Sequence, residues 1–511
     1  MNAAELLLGA AALEHHGARE ALRCAGERVG YAELAARVAR ASAALRSLGL
    51  APGERVLLLM RDTPEFAAAW LGAVRAGAVA IALNTKLSEE EFRHIRTDSG
   101  ARLALVEDVF AAARPDLAGE QAREGTLLVA GAEAPAGLRA WREVLAGAPA
   151  DAAPFAARPA DPAFWLYSSG TTGKAKGIIH THASIAASGE ALRLLGIGPG
   201  ERVLATSKYF FAYGLEHGLL GPLAVGATGV ALADWAEAGA ALQAVERERP
   251  AAFFSVPSFY RRLLAEPRER LAPLRSVRHF VAAGERLPLP IVEHWREAVG
   301  GEILSLYGMS ETYCACMMMP PGSRSEGRTG RPLALTELRL RDAAGAEPAP
   351  GEPGVLWVRH PALALGYANR PEQTAAQFRD GWFCSQDLFV RDAEGCYSHQ
   401  GRADELVKIA GQWVQPGELE EAVAGDAAIA EAACVPVLDA EGFERLALFV
   451  AARGDAAAAL AAAGSACERK LPRYKRPKWI RAVPELPRTA TGKVQRYRLR
   501  EILQRELGGE S

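Results

Sequence analysis

Residues 168–177 read SSGTTGKAKG. Ser168, Ser169, Thr171 and Thr172 offer hydroxyls, Gly170, Gly173 and Gly177 punctuate them, and Lys174 and Lys176 add positive charge. Glycine permits left-handed backbone and close approach, and successive N–H groups in such a loop form an anion-binding concavity. The chemistry suggested is phosphate binding. It is not that of the P-loop G-x-x-x-x-G-K-[ST]. Ser168 stands where that pattern has its first glycine, and Ala175, which follows Gly173-Lys174, has no hydroxyl for a metal ion. A short Gly/Ser/Thr stretch is also compatible with a plain turn, so the decision passes to the rest of the chain.

Elements able to position such a loop alternate from early on. YAELAARVARASAALRSLGL has helical spacing and ends at the turn APGE; RVLLLM is a short buried strand; PEFAAAWLGAVRAG returns to helix with a proline near its start; VAIAL is strand again. This alternation predicts an α/β fold with mostly parallel, helix-covered sheets. FWLYS, just before the loop, reads as a strand. LLVAGAEAPAGLRAWREVLAGAPADAAPFAARPADPA is expected to be an Ala/Pro-rich linker. A change of character near HQGRADELVKIAG places a domain boundary there, dividing the chain into 1–403 and 404–511.

The chain has 511 residues, half of them apolar, and a net charge of −2, so nothing pulls it toward nucleic acid or an anionic membrane. Seven scattered cysteines without a C-x-x-C pair are expected to be reduced thiols of a cytoplasmic protein. The N-terminus contains Glu5 and lacks a basic leader, against a signal peptide. EFAAAWLGAVRAGAVAIAL, broken by Arg75 and Gly77, suits a buried helix and strand better than a membrane span. Residues 469–505 carry 13 basic side chains against Glu485 and Glu501 alone. That run could face a phosphorylated substrate or be a solvated surface. The tail LGGES superficially matches a carrier attachment site, but Ser511 is the last residue, leaving no following helix.

Three further stretches bear on the loop: LYGMSE (306–311), GWFCSQDL (381–388) and PRTATGKVQR (487–496). In this order and spacing, the four closely resemble the adenylate-forming enzymes: acyl-CoA synthetases, amino-acid adenylation domains and luciferases. The resemblance covers nearly the whole chain. It implies a large N-terminal domain of helix-covered β-sheets and a small mobile α+β C-terminal domain. It also implies the reaction: ATP and a carboxylic acid give an acyl-adenylate and pyrophosphate, and a thiol, usually CoA, displaces AMP.

The same resemblance assigns roles. Ser168, Ser169, Gly170, Thr171, Thr172, Gly173 and Lys176 would hold the β- and γ-phosphates. Glu311 would help hold Mg2+, a hard cation suited to carboxylate and water ligands beside phosphate, and Ser310 would lie near the α-phosphate. Tyr307 would stack on adenine, with Gly284 and Glu285 of AAGERLP at its wall. Asp387 would take the ribose hydroxyls and Arg402 assist. Lys493 would approach the carboxylate and α-phosphate, where charge accumulates during in-line attack. Asp404 would be the hinge about which the small domain rotates between half-reactions. Gly411 would then leave room for pantetheine, and Arg473, Lys475 and Arg476 would meet CoA phosphates.

SKYFFAYGLEHGLLGPLAVGAT, 207–228, carries the substrate clue. Its FFAYG core, and SSGTTGKAKGIIHTH with His180 and His182, resemble benzoate-CoA ligases and their relatives. Zinc binding by those two histidines, two residues apart, is not expected. Phe211, Ala212, Tyr213 and Gly308 would line the acid pocket, an aromatic wall suiting a flat acid. Benzoate ligases tend to carry a His and a bulky aliphatic where this chain has Cys314 and Ala315. The smaller pair implies room for a ring substituent: benzoate, 2-aminobenzoate or a hydroxybenzoate. Other departures are Ala175 for a usual Pro, Gln386 for the usual Gly before Asp387, and Glu405 where Asp is commoner. Partners implied are the aromatic acid, ATP and CoA, with a homodimer as a fair expectation. An acyl carrier protein in place of CoA and a non-catalytic nucleotide sensor are the competing readings.

Overall fold

The computed structural model describes residues 1–114, 127–131, 134–135, 138–149, 153–169, 175–409, 412–439, 441–488 and 494–508, to which all counts below refer. The chain divides into two compact units. The larger comprises Met1–Glu352, Leu356–Ser385 and Arg391–Ser398; the smaller comprises Pro353–Val355, Gln386–Val390 and His399–Ser511.

The larger unit contains two extended sheets. One has eight strands in the order Gly366–Tyr367, Ala175–Thr181, Pro162–Ser169, Val79–Ala82, Arg55–Leu59, Leu103–Glu107, Leu127–Ala130 and Arg139–Ala140. From Pro162–Ser169 onward the neighbours are parallel. Val79–Ala82 and Leu103–Glu107 are buried along their whole length, as expected of parallel strands covered on both faces. The helix Pro64–Ala76 shows why the local sequence suffices. Thr63 caps it by accepting from the Phe66 N–H, Pro64 opens it, and Gly77 ends it at φ +82°. Its Trp70 is 1% exposed.

The second sheet has nine strands: Arg331–Pro332, Ala315–Met318, Ile303–Gly308, His279–Ala282, Ala252–Ser255, Arg202–Ala205, Thr228–Ala231, Glu20–Cys24 and Glu27–Gly30. Its inner strands are parallel. The carboxyl ends of Ala252–Ser255, His279–Ala282 and Ile303–Gly308 therefore share one edge, where open α/β sheets bind ligands.

The expected linker after residue 126 is not all loop. Leu127–Ala130 is a buried strand paired parallel to Leu103–Glu107, and Trp141–Gly147 is a helix with Trp141 1% exposed. A four-residue apolar run is ambiguous by itself; an open, parallel neighbour makes it a strand.

In the smaller unit, Ile429–Leu438, Glu444–Ala452 and Trp479–Val483 form a three-stranded sheet. Alternate residues serve two cores. Cys434, Leu448 and Val450 pack with the helices Pro416–Val423 and Ala456–Lys470. Val435, Ala447 and Phe449 pack with Leu499 and Leu503 of Arg496–Gly508. The period of two is the strand's own. No described helix is long and apolar enough to cross a membrane. All seven cysteines are buried free thiols.

Candidate active site

Strands Pro162–Ser169 and Ala175–Thr181 pair antiparallel, with Ser168 opposite Lys176 and Ser169 opposite Ala175. The hydroxyl-rich segment thus joins two strands, whereas a P-loop leads from strand into helix. Gly170, Thr171, Thr172 and Gly173 lie outside the described residues.

Lys176 extends from the second strand to Glu311. Its Nζ lies 3.4 Å from Oε1 and 3.7 Å from the centre of the Tyr367 ring. Tyr367, on the neighbouring strand, donates its O–H to the same Glu311 oxygen at 2.8 Å. The Glu311 backbone is held too, its carbonyl accepting from Ala364 N–H at 2.9 Å. His180 donates from Nε2 to the Ser310 carbonyl, 2.8 Å away, and stacks on Phe164. Burial lowers the His180 pKa to about 4, so the ring is neutral. Tyr313, just beyond, has φ +58°, a left-handed conformation uncommon for a bulky residue.

These contacts bring Lys176, Ser310 and Glu311 together and leave Glu311 Oε2 without a hydrogen bond from a described residue. Among the described residues no three metal-ligating side chains cluster. One open carboxylate oxygen fits Mg2+, which keeps waters and takes phosphate oxygens as its other ligands.

Tyr307 and Gly308 end the strand Ile303–Gly308 at the carboxyl edge of the sheet, and Gly284 follows His279–Ala282 there at φ +88°. Glu285 beside it is exposed. Gly308 faces Ala315; a Cβ on Gly308 would stand 3.1 Å from the Cys314 carbonyl oxygen, so glycine permits the close crossing.

The segment expected to line the acid pocket begins with Phe211, which packs on Phe210, and turns into the helix Ala212–Leu215. The Tyr213 phenol lies 3.2 Å from the Ser255 carbonyl and 3.1 Å from that of Val281, fixing it at the carboxyl ends of two parallel strands. Upstream, Lys208 is 3% exposed, with its Nζ 2.9 Å from Asp62 Oδ2 and bonded to the carbonyls of Leu232, Ala233 and Asp234. Asp62 also accepts from Tyr209 N–H. Burial pushes the Asp62 pKa up to about 6 against the pull of Lys208. Cys314, 1% exposed, directs its thiol toward Glu216 Oε2 at 3.7 Å, and burial raises its pKa. Glu216 also accepts from Gly189 N–H at 2.9 Å. The sequence shows Lys208, Glu216 and His217 within the quoted segment, but not that they are buried; Asp62 carries no local signal.

In the smaller unit Arg402 Nη1 lies 3.4 Å from Asp387 Oδ1, joining the expected ribose pair. His399, which the sequence did not single out, is 3.8 Å from the same oxygen. Gln386 has φ +63°, which accounts for glycine being usual there. Asp404 lies in the turn Ala403–Glu405. Gly411 and Lys493 fall outside the described residues; Arg488 and Val494, flanking the latter, form an antiparallel bridge. Arg473 is exposed, Lys475 is paired with Glu418, and Arg476 donates to the carbonyls of Glu468 and Leu471. Lys478, Arg481, Arg488 and Arg496 likewise pair with Asp439, Glu506, Glu431 and Glu420. Five of the thirteen basic side chains of the run are therefore paired with acids distant in sequence.

The profile of the AMP-binding enzyme family matches residues 10–368, and that of the AMP-binding enzyme C-terminal domain matches 418–493. A 3-hydroxybenzoate–CoA ligase of Aromatoleum sp. (strain CIB) is 40% identical, the match covering 98% of this chain and 97% of the relative. A benzoate–CoA ligase of Thauera aromatica is 36% identical over 98% of this chain and 95% of its own. The crystal structure of an anthranilate CoA ligase in complex with anthranoyl-AMP superposes with a TM-score of 0.91 at 29% identity, covering 99% of this chain and 98% of that one. With the four motifs and the geometry around Glu311 and Tyr213, these likenesses show that the chain belongs to the AMP-binding enzyme family, in its aryl-CoA ligase branch.

Proposed function

We propose that the protein is an ATP-dependent aryl-CoA ligase that converts benzoate or a ring-substituted benzoate to its CoA thioester through an acyl-adenylate, with hydroxybenzoates and 2-aminobenzoate foremost. The observation that carries this reading is the pinning of Tyr213 on the Ser255 and Val281 carbonyls. It fixes an aromatic wall at the sheet edge where Gly308 and small Ala315 face each other. A flat ring suits such a wall. The relatives that act on 3-hydroxybenzoate and benzoate, and the neighbour bound to anthranoyl-AMP, support the substrate class.

In this reading the loop 168–173 and Lys176 hold phosphate oxygens, and Glu311 contributes a carboxylate ligand to Mg2+, which supplies charge neutralisation there. Ser310 is held near the α-phosphate by the His180 bond to its carbonyl. Tyr307, Gly284 and Glu285 border adenine, and Asp387 with Arg402 takes the ribose. Lys493 stabilises charge on the carboxylate and α-phosphate oxygens. The unit from residue 404 then rotates about Asp404, bringing Gly411 to the pantetheine and Arg473 and Arg476, the exposed cations of their trio, to CoA phosphate.

Acid-dependent exchange of pyrophosphate into ATP, followed by thioester formation, tests the reading. Exchange is expected with benzoate, hydroxybenzoates and 2-aminobenzoate, and thioester with free CoA. A preference for medium-chain fatty acids overturns the substrate class. Transfer to a phosphopantetheinylated carrier but not to CoA changes the acceptor, and no exchange with any carboxylate favours a sensor. A cytoplasmic homodimer is the expected form, checked by fractionation and light scattering.

A further inference from the structure

One buried group beside the acid segment is unused by that scheme. The chain from Ala212 does not continue as a regular helix: Gly221 N–H reaches back five residues to the Glu216 carbonyl, making a widened turn over Glu216–Leu220. Such turns recur at functional sites. His217 sits in it, 2% exposed. Its Nδ1 lies 3.0 Å from the Tyr213 carbonyl oxygen. A carbonyl only accepts, so Nδ1 carries the proton and Nε2 is a bare acceptor. Nε2 is buried and has no hydrogen-bond partner among the described residues. Burial lowers the pKa of the ring, which keeps that nitrogen unprotonated.

The surroundings are those of the aromatic slot. The His217 ring stacks on Phe254, centroids 4.5 Å apart, and lies 4.9 Å from the Tyr213 ring. Phe254 and Ala315 belong to one buried apolar cluster, against which Tyr213 packs. The neighbouring carboxylate is already engaged, Glu216 taking Gly189 N–H and the Cys314 thiol. Of the polar side chains on this turn, His217 alone leaves an acceptor open among the described residues. Buried polar groups are nearly always satisfied, and an orphan next to a ligand slot is explained if the ligand brings the donor.

We propose that His217 Nε2 accepts the hydrogen bond of a ring hydroxyl on the bound aromatic acid, making His217 the residue that selects hydroxybenzoate over benzoate. The proposal rests on the aryl-CoA ligase reading. Its chemistry is a neutral O–H···N bond formed on binding, with no proton transferred. Benzoate or a fluorobenzoate would leave Nε2 unpaired and desolvated; a hydroxybenzoate satisfies it.

The test compares kcat/KM for acid-dependent pyrophosphate release with benzoate and with each isomer of hydroxybenzoate and fluorobenzoate. The unmodified protein is expected to prefer one hydroxybenzoate isomer over benzoate and over the matching fluorobenzoate by about tenfold or more, the order of one hydrogen bond. His217→Leu should abolish that ratio while turnover of benzoate persists, and His217→Gln, which keeps an amide near the Nε2 position, should retain most of it. Activity on aromatic acids without preference for a ring hydroxyl overturns the proposal, and so does a ratio unchanged in His217→Leu. If that variant fails to fold, the fluoro/hydroxy comparison on the unmodified protein decides. Absence of activity with every aromatic acid overturns the underlying reading instead.

Discussion

The phenol of Tyr367 donates to Glu311 Oε1 at 2.8 Å, on the same carboxylate oxygen that Lys176 approaches to 3.4 Å. Two strand residues thereby fix one oxygen of Glu311. Tyr367→Phe removes one of those holds without emptying the core. The Mg2+ concentration giving half-maximal pyrophosphate exchange should rise a few-fold, with kcat at saturating Mg2+ little changed, since one neutral hydrogen bond contributes about 1 kcal/mol. Glu311→Gln should lower kcat by about 100-fold or more even at high Mg2+. A Mg2+ titration of both variants checks the pair.

Lys208 and Asp62 form a buried ion pair under the segment that leads into Tyr213. Lys208→Met leaves the Asp62 carboxylate without its cation. Loss of one partner of such a pair costs about 3–5 kcal/mol, to be read from urea unfolding. The KM for the acid should rise more than the KM for ATP, because the segment 207–213 is what the pair anchors. Lys208→Met with Asp62→Asn should recover part of the stability.

His180 and His182 are both buried, with pKa lowered to about 4 by burial. In the unfolded chain each titrates near its ordinary value of about 6.5. Between those values the unfolded state binds more protons, so stability rises with pH. The contribution is fully present above about pH 6.5 and is lost as pH falls toward 4. Unfolding free energies measured from pH 7 to 5 should therefore decline. His182→Asn, which keeps an acceptor for Ala3 N–H as His182 Nδ1 does, should flatten the slope by up to about one proton.

Lys493→Ala should slow adenylation by about 100-fold or more, measured as pyrophosphate exchange. Thioester formation from supplied aryl-adenylate and CoA should fall much less. Equal loss in both half-reactions would contradict the assignment of Lys493 to the first alone.

By itself the sequence determined the features that depend on neighbours in the chain. The cap, Pro64 and Gly77 define the helix Pro64–Ala76, the apolar run RVLLL forms a strand, and four local motifs fix the family and the residues expected around ATP. Tertiary structure decided what depends on burial and on partners far along the chain. LLVA was illegible as a strand because its partner, Leu103–Glu107, comes from another part of the sequence. The basic run 469–505 looked like an exposed face because the acids that pair with part of it, such as Glu420 and Glu431, lie outside that run. Lys208, Glu216 and His217 stood in plain view within the quoted segment, yet a charged or polar letter is ordinarily a surface letter. Only packing against Asp62, Cys314 and Phe254 shows that they are buried, and only burial gives an unpaired imidazole nitrogen a reason to select a ligand.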